Sequence, residues 1–118
     1  MKISRKQNSA FTLVEIMIVV AIIGLLAAIA IPNFVKARAA SQRNACIANM
    51  KQIDGAKATW ALEFKKQNTD TPATTSLYGS TNYIRTEPLC PGGGTYAVNT
   101  VAVKPTCTLE ATMAHVLP

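Results

Sequence analysis

The pattern of apolar and polar positions divides the chain into three stretches. From Phe11 to Ile31 the run F-T-L-V-E-I-M-I-V-V-A-I-I-G-L-L-A-A-I-A-I has only two polar residues, Thr12 and Glu15. Apolarity all round, with no polar face, predicts a membrane-spanning helix over 11–31. At 1.5 Å per residue it is about 32 Å long, matching the hydrocarbon core of a bilayer. From Phe34 to about Lys66 the pattern becomes amphipathic: Cys46, Ile47, Met50, Ile53, Trp60, Ala61 and Phe64 recur at three- and four-residue spacing. Lys36, Arg38, Arg43, Lys51, Lys57, Lys65 and Lys66 keep the other faces polar, and frequent alanine favours helix. Trp60 and Phe64, one turn apart, are predicted to anchor the core together. The weak point is Asp54-Gly55, where Gly costs about 1 kcal/mol relative to Ala.

Helical spacing stops near residue 67. Residues 67–76 read as a polar, Thr-rich loop, and 77–90 hold short apolar pieces at Leu77-Tyr78 and Tyr83-Ile84. Cys90-Pro91-Gly92-Gly93-Gly94 is a turn, and strands are predicted over 95–99, 101–103 and 106–109. So few large apolar side chains cannot build an independent core. The elements therefore give an α+β fold, with the second half of one long helix flooring a small antiparallel sheet.

Two residues complicate the long helix. Pro32 removes a hydrogen bond and crowds the Ala28 carbonyl, which predicts a kink or local loosening. Gly24 allows close helix packing, as small residues do in membranes. Glu15 poses the sharper question. A carboxylate in an apolar span is costly and marks function by default, although one turn from Phe11 it can also snorkel to the headgroups.

Charge narrows the function classes. The formal charge of +6 falls to about +3 without the first ten residues, and the remaining basic residues are dispersed. That distribution does not make a nucleic-acid platform, so no specific nucleic-acid partner is expected. Lys2, Arg5 and Lys6 precede the span while Lys36, Arg38 and Arg43 follow it, so positive charge does not orient it. No catalytic constellation or cofactor motif appears, and no enzyme is expected. Gly92-Gly93-Gly94 lacks the Gly-Lys-Ser/Thr ending of a phosphate loop. Cys90, Cys107 and His115 supply three metal-binding donors, but no zinc spacing or fourth ligand is visible, so no metal is expected. The dispersed acids Glu63, Asp70, Glu87 and Glu110 make no calcium loop.

The run A-F-T-L-V-E at Ala10–Glu15 resembles the processing site of the type IV pilin and type II secretion pseudopilin family. The likeness extends through I-P-N-F-V-K-A-R and N-A-C-I-A-N-M-K-Q-I-D-G-A-K, the latter similar to the helix of major pseudopilins. The tail C-P-G-G-G-T-Y…P-T-C…H-V-L-P resembles disulfide-closed tails of short prepilin-type proteins. The resemblance implies a pilin fold and a leader over 1–10. A prepilin peptidase would cut between Ala10 and Phe11 and N-methylate Phe11. Ala10 stands where most members carry Gly, a small-for-small exchange. The regions implied are a transmembrane and assembly helix over 11–31, its amphipathic continuation over 32–67, and a β-rich head over 68–118.

The resemblance also implies an assembly role for Phe11, Thr12 and Glu15. The amine freed on Phe11 of an incoming subunit is cationic, and Glu15 of a neighbour is its natural partner, fixing register between copies. Gly24 and Pro32 would bound a segment that melts on assembly. The implied partners are other copies in a helical filament, minor pilins or pseudopilins, an inner-membrane platform protein and an assembly ATPase. The subunit waits in the inner membrane with its leader cytoplasmic and its head outside, then joins a periplasmic or surface filament. There oxidation is permitted, and a Cys90–Cys107 bridge is expected, contributing about 3 kcal/mol. Cys46 is then left as a small buried residue, although any of three pairings is open from sequence.

Two other readings compete. One is a competence pseudopilin of a DNA-uptake filament. The other is a small secreted or membrane-anchored binding module with a conventional signal peptide: Lys2, Arg5 and Lys6 as the basic region, Ile16–Ile31 as the apolar region and Ala28-Ile29-Ala30 as the cleavage site.

Overall fold

The computed structural model describes residues 10–118. The leader over 1–10, with Lys2, Arg5 and Lys6, lies outside the described residues except for Ala10. The chain falls into two compact units, the first ending at Lys36 and the second spanning Ala37–Pro118. The elements are α1 (Leu13–Glu63), α2 (Thr74–Leu77), β1 (Tyr96–Ala97), β2 (Thr106–Cys107) and α3 (Glu110–Met113). The long helix with a small antiparallel sheet is the α+β arrangement that the sequence predicts.

In the first unit α1 is helical throughout, and Pro32 lies inside it. Every large apolar side chain from Phe11 to Val35 is at least half exposed. This stretch is long and apolar enough to cross a membrane. Gly24 has open space where a Cβ would stand, so nothing within this chain requires glycine there.

In the second unit α1 buries Cys46, Met50, Ile53, Ala56, Lys57 and Trp60. Their three- and four-residue spacing keeps them on one stripe of the helix. Ile53, Ala56 and Trp60 pack with Leu77, Ile84 and Val98. Cys46 and Met50 pack with Cys90 and Cys107. Phe64 departs from expectation: it is 60% exposed, with its ring centroid 6.3 Å from that of Trp60. The helix ends first. Lys65 adopts a left-handed φ of 49°, and the Lys66 N–H bonds the Ala61 carbonyl at 2.9 Å, closing the last turn as a Schellman motif. Lys66 lies 5.6 Å from the Trp60 ring centroid, a cation–π contact.

The sheet is smaller than the sequence suggests. Tyr96 pairs with Cys107 and Ala97 with Thr106. The predicted strand over 101–103 is instead a turn. Asn99, at a φ of 59°, bends the chain and donates from Nδ2 to the Lys104 carbonyl at 2.9 Å. The N–H groups of Val101 and Ala102 then bond the carbonyls of Asp70 and Asn68, at 2.9 and 3.0 Å, rather than a strand.

Lys57, assigned by sequence to a polar face, is 1% exposed. Its stem fills a stripe position between Ile53 and Trp60, and its ammonium donates to the carbonyls of Val98 and Val103. Burial pulls its pKa below the usual lysine value, while Asp54 at 3.7 Å opposes that shift. The ammonium thereby ties α1 to both ends of the 98–103 turn.

Two substitutions test this account in opposite directions. Lys57→Ala leaves buried carbonyls unpaired and is expected to cost about 1–3 kcal/mol in denaturant unfolding. Gly55→Ala meets nothing within 4 Å and is expected to stabilise by about 0.5–1 kcal/mol.

Candidate functional site

Chemistry-bearing residues gather in two places, one in each unit. At the start of α1, Thr12 and Glu15 bond each other reciprocally. The Thr12 N–H donates to Glu15 Oε2 at 3.0 Å, and the Glu15 N–H donates to Thr12 Oγ1 at 3.3 Å. This is a capping box, T-x-x-E, satisfying two otherwise orphaned donors at the helix start. A carboxylate in the first turn also complements the helix dipole. The box is written in the sequence, in the same four residues that belong to the processing motif. Phe11, Glu15, Ile16, Ile18 and Val19 line a shallow groove here. Ala10 and Phe11 precede the helix as exposed residues.

The second gathering lies in the unit spanning Ala37–Pro118. Cys46 on α1, Cys90 before the glycine turn, Cys107 on β2 and His115 in the tail place their donor atoms within 4.8 Å of one another. All four are buried, Cys46 fully and His115 to 1% exposure. Cys107 Sγ lies 3.7 Å from Cys90 Sγ, and His115 Nδ1 lies 3.5 Å from Cys90 Sγ. All three cysteines are free thiols, so the expected Cys90–Cys107 partners are adjacent but unbonded. His115 Nε2 is buried without a hydrogen-bond partner.

Local sequence explains the convergence. Ala114, at a φ of 53° after α3, turns the tail and carries His115 inward. The glycine turn lies directly against the thiols. A Cβ at Gly94 would stand 2.8 Å from Cys107 Sγ, and one at Gly92 would stand 2.8 Å from Leu109 Cδ1 and 3.3 Å from His115 Cε1. Bare backbone is therefore required at Gly94, while at Gly92 the Leu109 tip would have to move aside. For Cys90, burial raises the pKa, but the N–H groups of Gly92 and Gly94, with Cys46 and His115, outweigh it and bring the thiol down to about 6. Burial pushes Cys46 up to about 12; the Tyr96 hydroxyl opposes the rise, and Cys107 and Cys90 add to it. Tyr96 in turn accepts from Asn49 Nδ2 at 3.1 Å.

Sequence reasoning placed Cys46 apart from the other donors because it lies in a helical pattern. The signal was its position on the same stripe as Met50 and Ile53, which turns it toward the glycine turn. Gly94→Ala tests the close approach. The added methyl is expected to cost about 1–3 kcal/mol in thermal or denaturant unfolding, whereas the same change at Gly55 does not destabilise.

Comparison with known proteins fits the N-terminal constellation. The profile of the prokaryotic N-terminal methylation motif matches residues 5–31. The type IV major pilin protein PilA of Myxococcus xanthus is 49% identical over 65 residues, 53% of this chain and 30% of that protein. The chain thus matches less than a third of that pilin's length. Type II secretion system core protein G of Klebsiella michiganensis is 27% identical over 104 residues, 78% of this chain and 73% of that protein. Competence protein ComGC of Bacillus subtilis is 31% identical over 86 residues, 73% of this chain and 84% of that protein. No solved structure matches. With the methylation motif at its apolar helix and relatives aligned along most of its length, the chain belongs to the type IV pilin and pseudopilin family.

Proposed function

We propose that the chain is a structural subunit of a type IV pilus-like or type II secretion pseudopilus filament, built from the inner membrane. The observation that carries this reading is Glu15, the one carboxylate in an exposed apolar helix of membrane-spanning length, four residues after Phe11. Prepilin peptidase cuts between Ala10 and Phe11 and methylates the new amine. In the membrane, Glu15 is satisfied in part by the Thr12 N–H at Oε2. In the filament, the Phe11 amine of an adjoining copy reaches the same carboxylate, and the ion pair sets axial register. Bundled apolar helices supply cohesion, and a head-to-tail contact of this kind propagates as an open helical assembly. Gly24 and Pro32 bound the segment that melts on assembly, where Pro32 removes a helix hydrogen bond. A platform protein, an assembly ATPase and minor subunits complete the machinery, and the chain itself is not an enzyme.

A competence pseudopilin is the second reading. It is favoured by the alignment with ComGC, which covers 84% of that protein. The two readings share the subunit chemistry and differ in cargo. Salt-sensitive DNA binding by the assembled filament supports the competence reading, and its absence supports secretion or pilus function.

The substitution Glu15→Gln separates charge from capping, because Gln preserves a capping box. Expressed with its assembly machinery, the variant is expected to insert in the membrane at wild-type levels. Electron microscopy is expected to show filaments lost or severely reduced. Wild-type filaments from this variant contradict the ion-pair register.

A further inference from the structure

We propose that Cys46, Cys90, Cys107 and His115 form a tetrahedral site for one zinc ion in the head. The sequence alone offered three donors and no fourth. The fold supplies Cys46 from α1, and the expectation of no metal is revised on that observation.

Geometry carries the assignment. A tetrahedron with Zn–S bonds of about 2.3 Å and a Zn–N bond of about 2.0–2.1 Å has edges of about 3.8 Å between sulfurs and about 3.6 Å between sulfur and nitrogen. Cys90 and Cys107 are 3.7 Å apart at sulfur, and Cys90 Sγ is 3.5 Å from His115 Nδ1. All four donor atoms lie within 4.8 Å of each other, so the widest edges need close by only about 1 Å. A disulfide requires sulfurs at about 2.05 Å, joins only two of the three thiols, and leaves an imidazole buried for no polar purpose. Zinc takes one ligand atom from each of the four residues.

The surroundings suit a thiolate-rich ion. Three thiolates, one neutral imidazole and Zn²⁺ sum to one negative charge. Gly92 and Gly94 bring bare backbone against the donors, and Asn49 Nδ2 holds the Tyr96 hydroxyl at 3.1 Å on the strand that pairs with Cys107. Such outer contacts orient the ligands and spread their charge. Each Zn–S bond forms as a thiol proton leaves to solvent, and neither zinc nor sulfur changes oxidation state. His115 enters neutral through Nδ1. With all four positions taken by protein, the site is structural rather than catalytic. It joins α1, the glycine turn, β2 and the tail in a unit with a small apolar core, and metal binding there contributes directly to folding.

The test uses the full chain in mild detergent under reducing conditions, with zinc and then cobalt as probes. The proposal expects one zinc per chain by elemental analysis. Cobalt should give tetrahedral d–d bands with thiolate charge-transfer absorption, which loses about a third of its intensity in Cys46→Ser as three thiolates become two. His115→Ala is expected to weaken zinc binding by about a hundredfold or more, with the thiolate absorption retained. Wild-type stoichiometry and the cobalt spectrum stand even if Cys46→Ser fails to fold. Substoichiometric zinc overturns the proposal, as does zinc binding unchanged in His115→Ala. A Cys90–Cys107 disulfide in protein alkylated at the moment of isolation also overturns it. None of these outcomes bears on filament assembly, so the two readings fail separately.

Discussion

The first half of α1 presents fifteen large apolar side chains between Leu13 and Val35, and all of them are exposed. By area alone, covering such a surface is worth tens of kcal/mol at about 25 cal/mol per Å². A chain that leaves it bare must find lipid or other helices. That requirement explains why a polar residue in the stretch is consequential, and why the stretch ends in a helix that carries a head. Glu15 is tolerable in hydrocarbon only when its oxygens are occupied, and the capping box occupies one of them. In the proposed filament a partner's cation meets the same carboxylate. In this account one carboxylate serves the helix start in the membrane and the register in the filament.

The head solves a different problem with few apolar residues. Its stripe on α1 meets a short helix, a two-residue ladder and several turns, so regular structure contributes little. Specific polar contacts stand in for it. Lys57 binds both ends of the 98–103 turn, Asn99 bridges Lys104 and Thr106, and Asn49 reaches the Leu89 carbonyl and the Tyr96 hydroxyl. The thiol and imidazole donors close the end farther along the stripe from Trp60. One glycine there, Gly94, is dictated by contact rather than by turn geometry.

How much of this was legible in sequence follows from the range of each interaction. The apolar span and the stripe Cys46, Met50, Ile53, Trp60 are periodic and local, and both appear as read. The capping box was equally local but was obscured by a second meaning of the same residues. Phe64 was misplaced because periodicity cannot announce the left-handed residue, Lys65, that ends the helix before it. Lys57 was misplaced because a charged residue at a stripe position is ordinarily solvated, and its carbonyl partners lie some forty residues away. Val101–Val103 has strand propensity, but Asn99 diverts it into a turn. The four-donor cluster depends on Ala114 and the glycine turn bringing remote segments to Cys46, which no spacing rule encodes.

The central claim is that Phe11 becomes the terminus that meets Glu15 of an adjoining copy. Mass spectrometry of the mature protein, isolated from cells that carry its processing enzymes, tests it most directly. The account predicts a chain beginning at N-methylated Phe11. An intact leader, or a chain beginning near Ile31, contradicts it.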